Sequence, residues 1–130
     1  VDMGIDSYMR EVFGMQEVDI REYSPLTLAY IGDSIYDLII KSLVINEGNK
    51  QVQKLHQETS SLVQASAQSK MMRTLQEILT EEEPAKNQSI TDYRRATGFE
   101  ALMGYLYLKK DMKRLIDLVK IGLDSLKEEK

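Results

Sequence analysis

Two acidic residues, Asp33 and Glu100, have the chemistry and the surroundings to do more than decorate a surface. Glu100 is the single charge in ATGFEALMGYLYL, the stretch from Ala96 to Leu108. At helical spacing its neighbours are Ala96, Thr97, Met103 and Gly104, so no lysine or arginine on its own helix can neutralise it. A carboxylate among apolar and small residues must meet water, a cation or a raised pKa. Asp33 sits in LAYIGDSIYD, from Leu28 to Asp37, and taken alone it is ordinary. Asp33, Asp37 and Lys41 follow one another at i, i+4 and i+8 with Ser34 beside them, a narrow stripe facing water, a cleft or a partner. If the two carboxylates converge on one cleft, a divalent cation is the natural partner, because hard oxygen ligands suit magnesium or manganese.

The remaining candidates have plainer accounts beside the functional one. Gly98 and Gly104 flank Glu100 and serve close helix packing, room for a phosphate or metal, or both. Arg94 and Arg95 precede Glu100 by one to two turns; surface ion pairs are the commoner use of such residues, and phosphate contacts the alternative. Lys54, His56, Lys70 and Arg73 form a modest basic set on outer faces, with His56 an edge histidine rather than a ligand. Tyr30 and Tyr36 read as core or interface packing, and the Met71-Met72 pair as core filler.

Helices must position these groups. Ser24-Pro25 is a strong start signal, a serine acceptor for first-turn amides followed by a proline that needs no N–H partner there. The long helix it opens ends before Gly48 and carries apolar residues around most of its circumference, which marks a central element packed on several sides. Before it, Asp6 to Phe13 reads as a short helix ending at Gly14 and presenting Tyr8, Met9, Val12 and Phe13 to the body, and Gln16 to Tyr23 as irregular. After it, Gly48 stops the chain and Asn49 restarts it, and two helices or one bent helix fill Lys50 to Leu79, with a break near Ser60-Ser61. Thr80 and three glutamates resemble a helix start, yet Pro84 arrives at once. Either that stretch is a tight turn or residues of the natural chain are missing between Glu83 and Pro84. Thr91 or Asp92 caps the helix carrying Glu100, which ends near Lys109-Lys110, and Asp111 caps a last helix with Leu115, Ile116, Val119, Leu123 and Leu126 on one face. No alternating strand pattern occurs, so the expectation is an all-α fold of five to seven helices in a single domain over residues 1–130.

Composition narrows the chemistry. With no cysteine, disulfides, thiolate zinc sites and cysteine nucleophiles are excluded, and a single histidine argues against histidine-rich metal sites and serine-histidine catalysis. No stretch reaches the ~20 apolar residues of a membrane span, and no signal-peptide pattern opens the chain, so a cytoplasmic protein without membrane partners is expected. The net charge of −4 counts against a large basic nucleic-acid surface and leaves local patches or metal-bridged phosphate.

LAYIGDSIYD followed by YRRATGFEALMGYLYL resembles the catalytic domain of the ribonuclease III family, most closely its minimal bacterial form, Mini-ribonuclease III, from about Leu26 to Leu108. The pairing of a GD dipeptide, Gly32-Asp33, with a later EAL segment, Glu100-Ala101-Leu102, is far more specific than either alone. The resemblance implies a magnesium-dependent endoribonuclease, with manganese as a substitute, that hydrolyses double-stranded RNA and matures precursors of large-subunit ribosomal RNA. Asp33 and Glu100 would be its catalytic and metal-binding residues. Arg94, Arg95, Lys70 and Arg73 would contact RNA, Tyr30 would lie in a homodimer interface, and a ribosomal protein could be a further partner. The chain departs from the wider family in holding Ala29 and Thr97 where further carboxylates stand one turn before each acid, and Leu26 at an outer acidic position. It also lacks the separate RNA-binding domain, and where the minimal form carries a basic loop it jumps from Glu83 to Pro84. The thinned acidic set motivates an alternative, a non-cleaving helical dimer that binds structured RNA or a ribosomal protein; a plain helical interaction module is the third.

Overall fold

The computed structural model describes residues 4–84, 86 and 92–128, and for 92–94 the backbone alone. Its helices are α1 (Ile5–Phe13), α2 (Pro25–Asn46), α3 (Val52–Val63), α4 (Ala65–Leu75), α5 (Asp92–Leu108) and α6 (Met112–Glu128). Short 3₁₀ turns at Ile20–Glu22 and Gln76–Ile78 join the first two and extend the fourth. No strand occurs among the described residues, and the fold is all-α.

Local chemistry accounts for the element ends. The Ser24 hydroxyl accepts from the Thr27 amide at 3.2 Å, and Pro25 occupies the first turn of α2. Gly14 takes the left-handed conformation, φ 63°, that closes α1. Asp111 accepts from the Arg114 amide at 3.1 Å and starts α6. The break between α3 and α4 falls at Gln64, slightly later than Ser60-Ser61, and α3 starts from Gln51 rather than Asn49. The Thr91 cap lies outside the described residues. Thr80 to Glu83 is a turn closed from both sides: the Glu83 amide donates to the Thr80 carbonyl at 3.1 Å, and the Thr80 amide to Glu83 Oε1 at 2.8 Å. Glu83 is buried and ion-paired with Arg114 at 2.9 Å, which anchors the turn to α6.

The core lies between α2, α4, α5 and α6, around Tyr36, Ile40, Met71, Met72, Leu75, Phe99, Leu102, Leu106, Leu115 and Leu118. Tyr36 and Phe99 meet edge to face, ring centres 4.8 Å apart, and the Tyr36 hydroxyl donates to the Leu62 carbonyl at 2.8 Å, so α2 is tied to both α5 and α3. Two expectations change. Helix α1 presents chiefly Asp6 to the body: Asp6 is buried and paired with Arg10 and Met9 is half-buried, while Tyr8, Val12 and Phe13 are exposed. Helix α2 packs against α5 and α3 but leaves one face open, with Leu28, Ala29, Gly32, Tyr36, Ile40 and Val44 buried and Leu26, Tyr30, Leu38 and Ile45 open to solvent. Periodicity cannot separate an apolar face buried within one chain from one kept for contact with another.

Candidate active site

The most extensive packing in the fold is between α2 and α5, and two glycines make it possible. A Cβ placed on Gly32 would collide with the Glu100 carbonyl, and one on Gly104 with the Leu28 carbonyl. The two backbones therefore touch, with the start of α2 against the end of α5. This contact brings Asp33, the residue after Gly32, beside Glu100, which is separated from it by about half of the chain.

The two carboxyl groups lie within hydrogen-bonding reach of each other. Carboxylates are acceptors only, so such a bond requires one of them to keep a proton. Glu100 keeps it: burial first, then the hydrogen bond and charge of Asp33, push its pKa from 4.5 up to about 8. Glu100 is half-buried, whereas Asp33 is exposed, so the pair opens to solvent on the Asp33 side. A cation placed there would replace the shared proton and neutralise both groups.

Among the described residues nothing else acidic joins them. Among the described residues no cluster of three or more aspartate, glutamate, histidine or cysteine side chains could hold a metal, in keeping with Ala29 and Thr97 at the neighbouring positions. Tyr30 stands one turn before Asp33 on α2 and is 82% exposed. Arg95 is half-buried on α5, and the side chain of Arg94 lies outside the described residues. Lys70 and Arg73 are exposed one turn apart on α4, each engaged in interactions of its own. Gly98 and Gly104 are the packing glycines that the sequence suggests, and Gly32 is not among them; its signal is a glycine inside an otherwise strong helix, the mark of close backbone approach.

A model of the ribonuclease III domain matches residues 26–111, a span that contains both carboxylates and both glycines. The chain is 39% identical to Mini-ribonuclease 3 of Clostridium tetani, over 93% of this chain and 89% of that one. It is 38% identical to Mini-ribonuclease 3 of Enterococcus faecalis, over 78% and 89%. The Clostridium alignment runs over 136 residues where this chain has 130, so that relative holds residues inside the matched stretch with no counterpart here. Among solved structures, a protein of Fusobacterium nucleatum superposes with a TM-score of 0.71 at 30% identity, over 83% of this chain and 99% of the other. By the family model and by relatives of this identity and coverage, the chain belongs to the ribonuclease III family, in its Mini-ribonuclease 3 branch.

Proposed function

We propose that this protein is a metal-dependent endoribonuclease that cuts double-stranded RNA, with Asp33 and Glu100 as its catalytic, metal-holding pair. The observation that carries the reading is the close α2–α5 crossing, which sets Asp33 beside Glu100 and raises Glu100 to about 8. Two acids held this close to solvent suit a hard divalent cation, magnesium in the cell with manganese as a substitute. When bound, the ion supplies charge neutralisation at a phosphate oxygen and a water of lowered pKa. The chain's own part is to hold that charge in place. Gly32 and Gly104 fix the separation of the two helices, Asp33 faces the solvent from which RNA would arrive, and Glu100 would give up its proton in holding a cation.

Family membership supports the finer assignments that we add. The substrate is a precursor of large-subunit ribosomal RNA, recognised by A-form shape, 2′-hydroxyls and phosphates rather than by base edges. Arg94, Arg95, Lys70 and Arg73 hold the RNA backbone. The working unit is a cytoplasmic homodimer with Tyr30 at its interface, with a ribosomal protein as a candidate partner. All 130 residues form one catalytic domain, and the residues that the Clostridium relative has in excess belong to a basic loop between Glu83 and Pro84.

The test is cleavage of duplex RNA with and without Mg²⁺. The expected result is cutting by the natural sequence, and a loss of about a hundredfold or more in Asp33→Asn and in Glu100→Gln, with helicity and association unchanged. Full activity in either variant removes that residue from the reaction. The lack of a third carboxylate beside the pair among the described residues favours a second reading, a dimer that binds structured RNA without cutting. Binding that persists in EDTA, with no cleavage under any divalent metal, would select it.

A further inference from the structure

At the C-terminal end of α5 a cavity of about 230 Å³ opens between that helix and the segment leading into α2. Its charged lining is Arg10, Lys109 and Lys110 against Glu17, with Tyr23 alongside. Lys110 is the only non-glycine with positive φ among the described residues, at 66°. It closes α5 in a double-bonded cap: the Asp111 amide donates to the Leu106 carbonyl and the Lys110 amide to the Tyr107 carbonyl, both at 3.0 Å. At the end of α1 the same left-handed step, φ 63°, is taken by Gly14, the residue that adopts it without strain. Capping alone thus gives no reason for a lysine here. A lysine near a helix C-terminus complements the dipole, but Lys109 already does so without strain.

The cations of this cavity are incompletely occupied. Lys110 meets Glu17 only at 3.9 Å, with both side chains half or more exposed, a pair that a stronger anion displaces. Arg10 spends its Nε on both Asp6 oxygens at 3.2 Å and its Nη1 on the Gln16 carbonyl at 3.2 Å, and its Nη2 makes no hydrogen bond among the described residues. Along α5 the cavity lies eight residues beyond Glu100, about 12 Å at the helical rise, at the end where α2 begins.

We infer that this cavity is a backbone-phosphate subsite for duplex RNA, with Lys110 as its principal contact and its strained conformation retained for the charge it delivers. The inference rests on the duplex-RNA reading above. The experiment measures binding of a synthetic RNA duplex in EDTA, between about 50 and 200 mM salt, for the natural sequence, Lys110→Gly, Lys110→Gln and, as an exposed control on α6, Lys113→Ala. Each phosphate contact contributes close to one unit of salt slope, so both Lys110 variants should lose about one unit. Their affinity deficit should be widest at low salt and narrow about threefold across that range. Lys113→Ala should match the natural sequence. Thermal melting separates charge from strain: Lys110→Gly should melt a few degrees higher while Lys110→Gln does not. Natural protein that binds while either Lys110 variant keeps its full salt slope overturns the subsite and leaves the nuclease reading standing. A natural sequence that binds no duplex RNA at low salt instead overturns the reading beneath it.

Discussion

At the scale of single residues, the consequence of the carboxyl pair is a pH dependence of stability with a definite sign. Folded Glu100 holds its proton up to about pH 8, whereas in the unfolded chain it lets go near the ordinary value of 4.5. Between these values the folded state binds more protons than the unfolded one, so its stability is full below pH 4.5 and is lost as pH rises through 8. For a half-exposed group the loss is on the order of 1–3 kcal/mol after solvent screening. Metal-free protein should therefore melt lower at pH 8 than at pH 5. Glu100→Gln should flatten that dependence, and Mg²⁺ should restore stability at pH 8 by neutralising the pair. Identical pH profiles for the natural sequence and Glu100→Gln would show that the two acids do not share a proton. Glu83 cannot produce the same trend. Burial raises its pKa, but the Arg114 hydrogen bonds outweigh this and hold it below the usual carboxylate range, so its contribution is lost in acid.

At the scale of elements, the site is a product of how closely α2 and α5 approach. Because Gly104 touches the Leu28 carbonyl, Gly104→Ala must push the helices apart, at about 1–3 kcal/mol or more for overpacking a close-packed crossing. The same movement separates Asp33 from Glu100. The variant should thus lose stability at pH 7, and the upward shift of Glu100 should shrink; NMR titration of the Glu100 carboxyl reads the second effect directly. An unshifted titration in a folded Gly104→Ala protein would mean that the crossing does not set the pair. Much of this element layer was legible in the residues. Ser24-Pro25, Gly14 and Asp111 mark helix ends by chemistry that acts within a few residues, and all three ends lie where those residues put them. The lone charge in the stretch from Ala96 to Leu108 announced a shifted carboxyl. What could not be read was which glycines touch which carbonyls, since that depends on the approach of segments far apart in the chain. The orientation of α1 does not follow its apolar period for a related reason: Tyr8, Val12 and Phe13 stay exposed, and the buried residue is Asp6, held in an ion pair with Arg10.

At the scale of the whole molecule, the open side of α2 is what a single copy leaves unexplained. Tyr30, Leu26 and Leu38 are 82%, 70% and 59% exposed on one helix, and Tyr8, Val12 and Phe13 add further open apolar surface on α1. Apolar exposure on that scale is a contact surface waiting for a partner. The proposed homodimer provides one, and a twofold axis near Tyr30 would bring two Asp33–Glu100 pairs to a shared face, one for each strand of a duplex. Twofold symmetry makes the claim sensitive to a single substitution, because each change counts twice. Truncating an aromatic anchor costs about 1.4 kcal/mol or more per protomer, so Tyr30→Ala should weaken association about a hundredfold. The melting temperature of the natural protein should rise with protein concentration, and that of Tyr30→Ala should not over the same range. Sedimentation of the two proteins at matched concentrations reads the outcome. Dimers of equal affinity would move the interface off this face of α2, and with it the placing of two sites on one duplex.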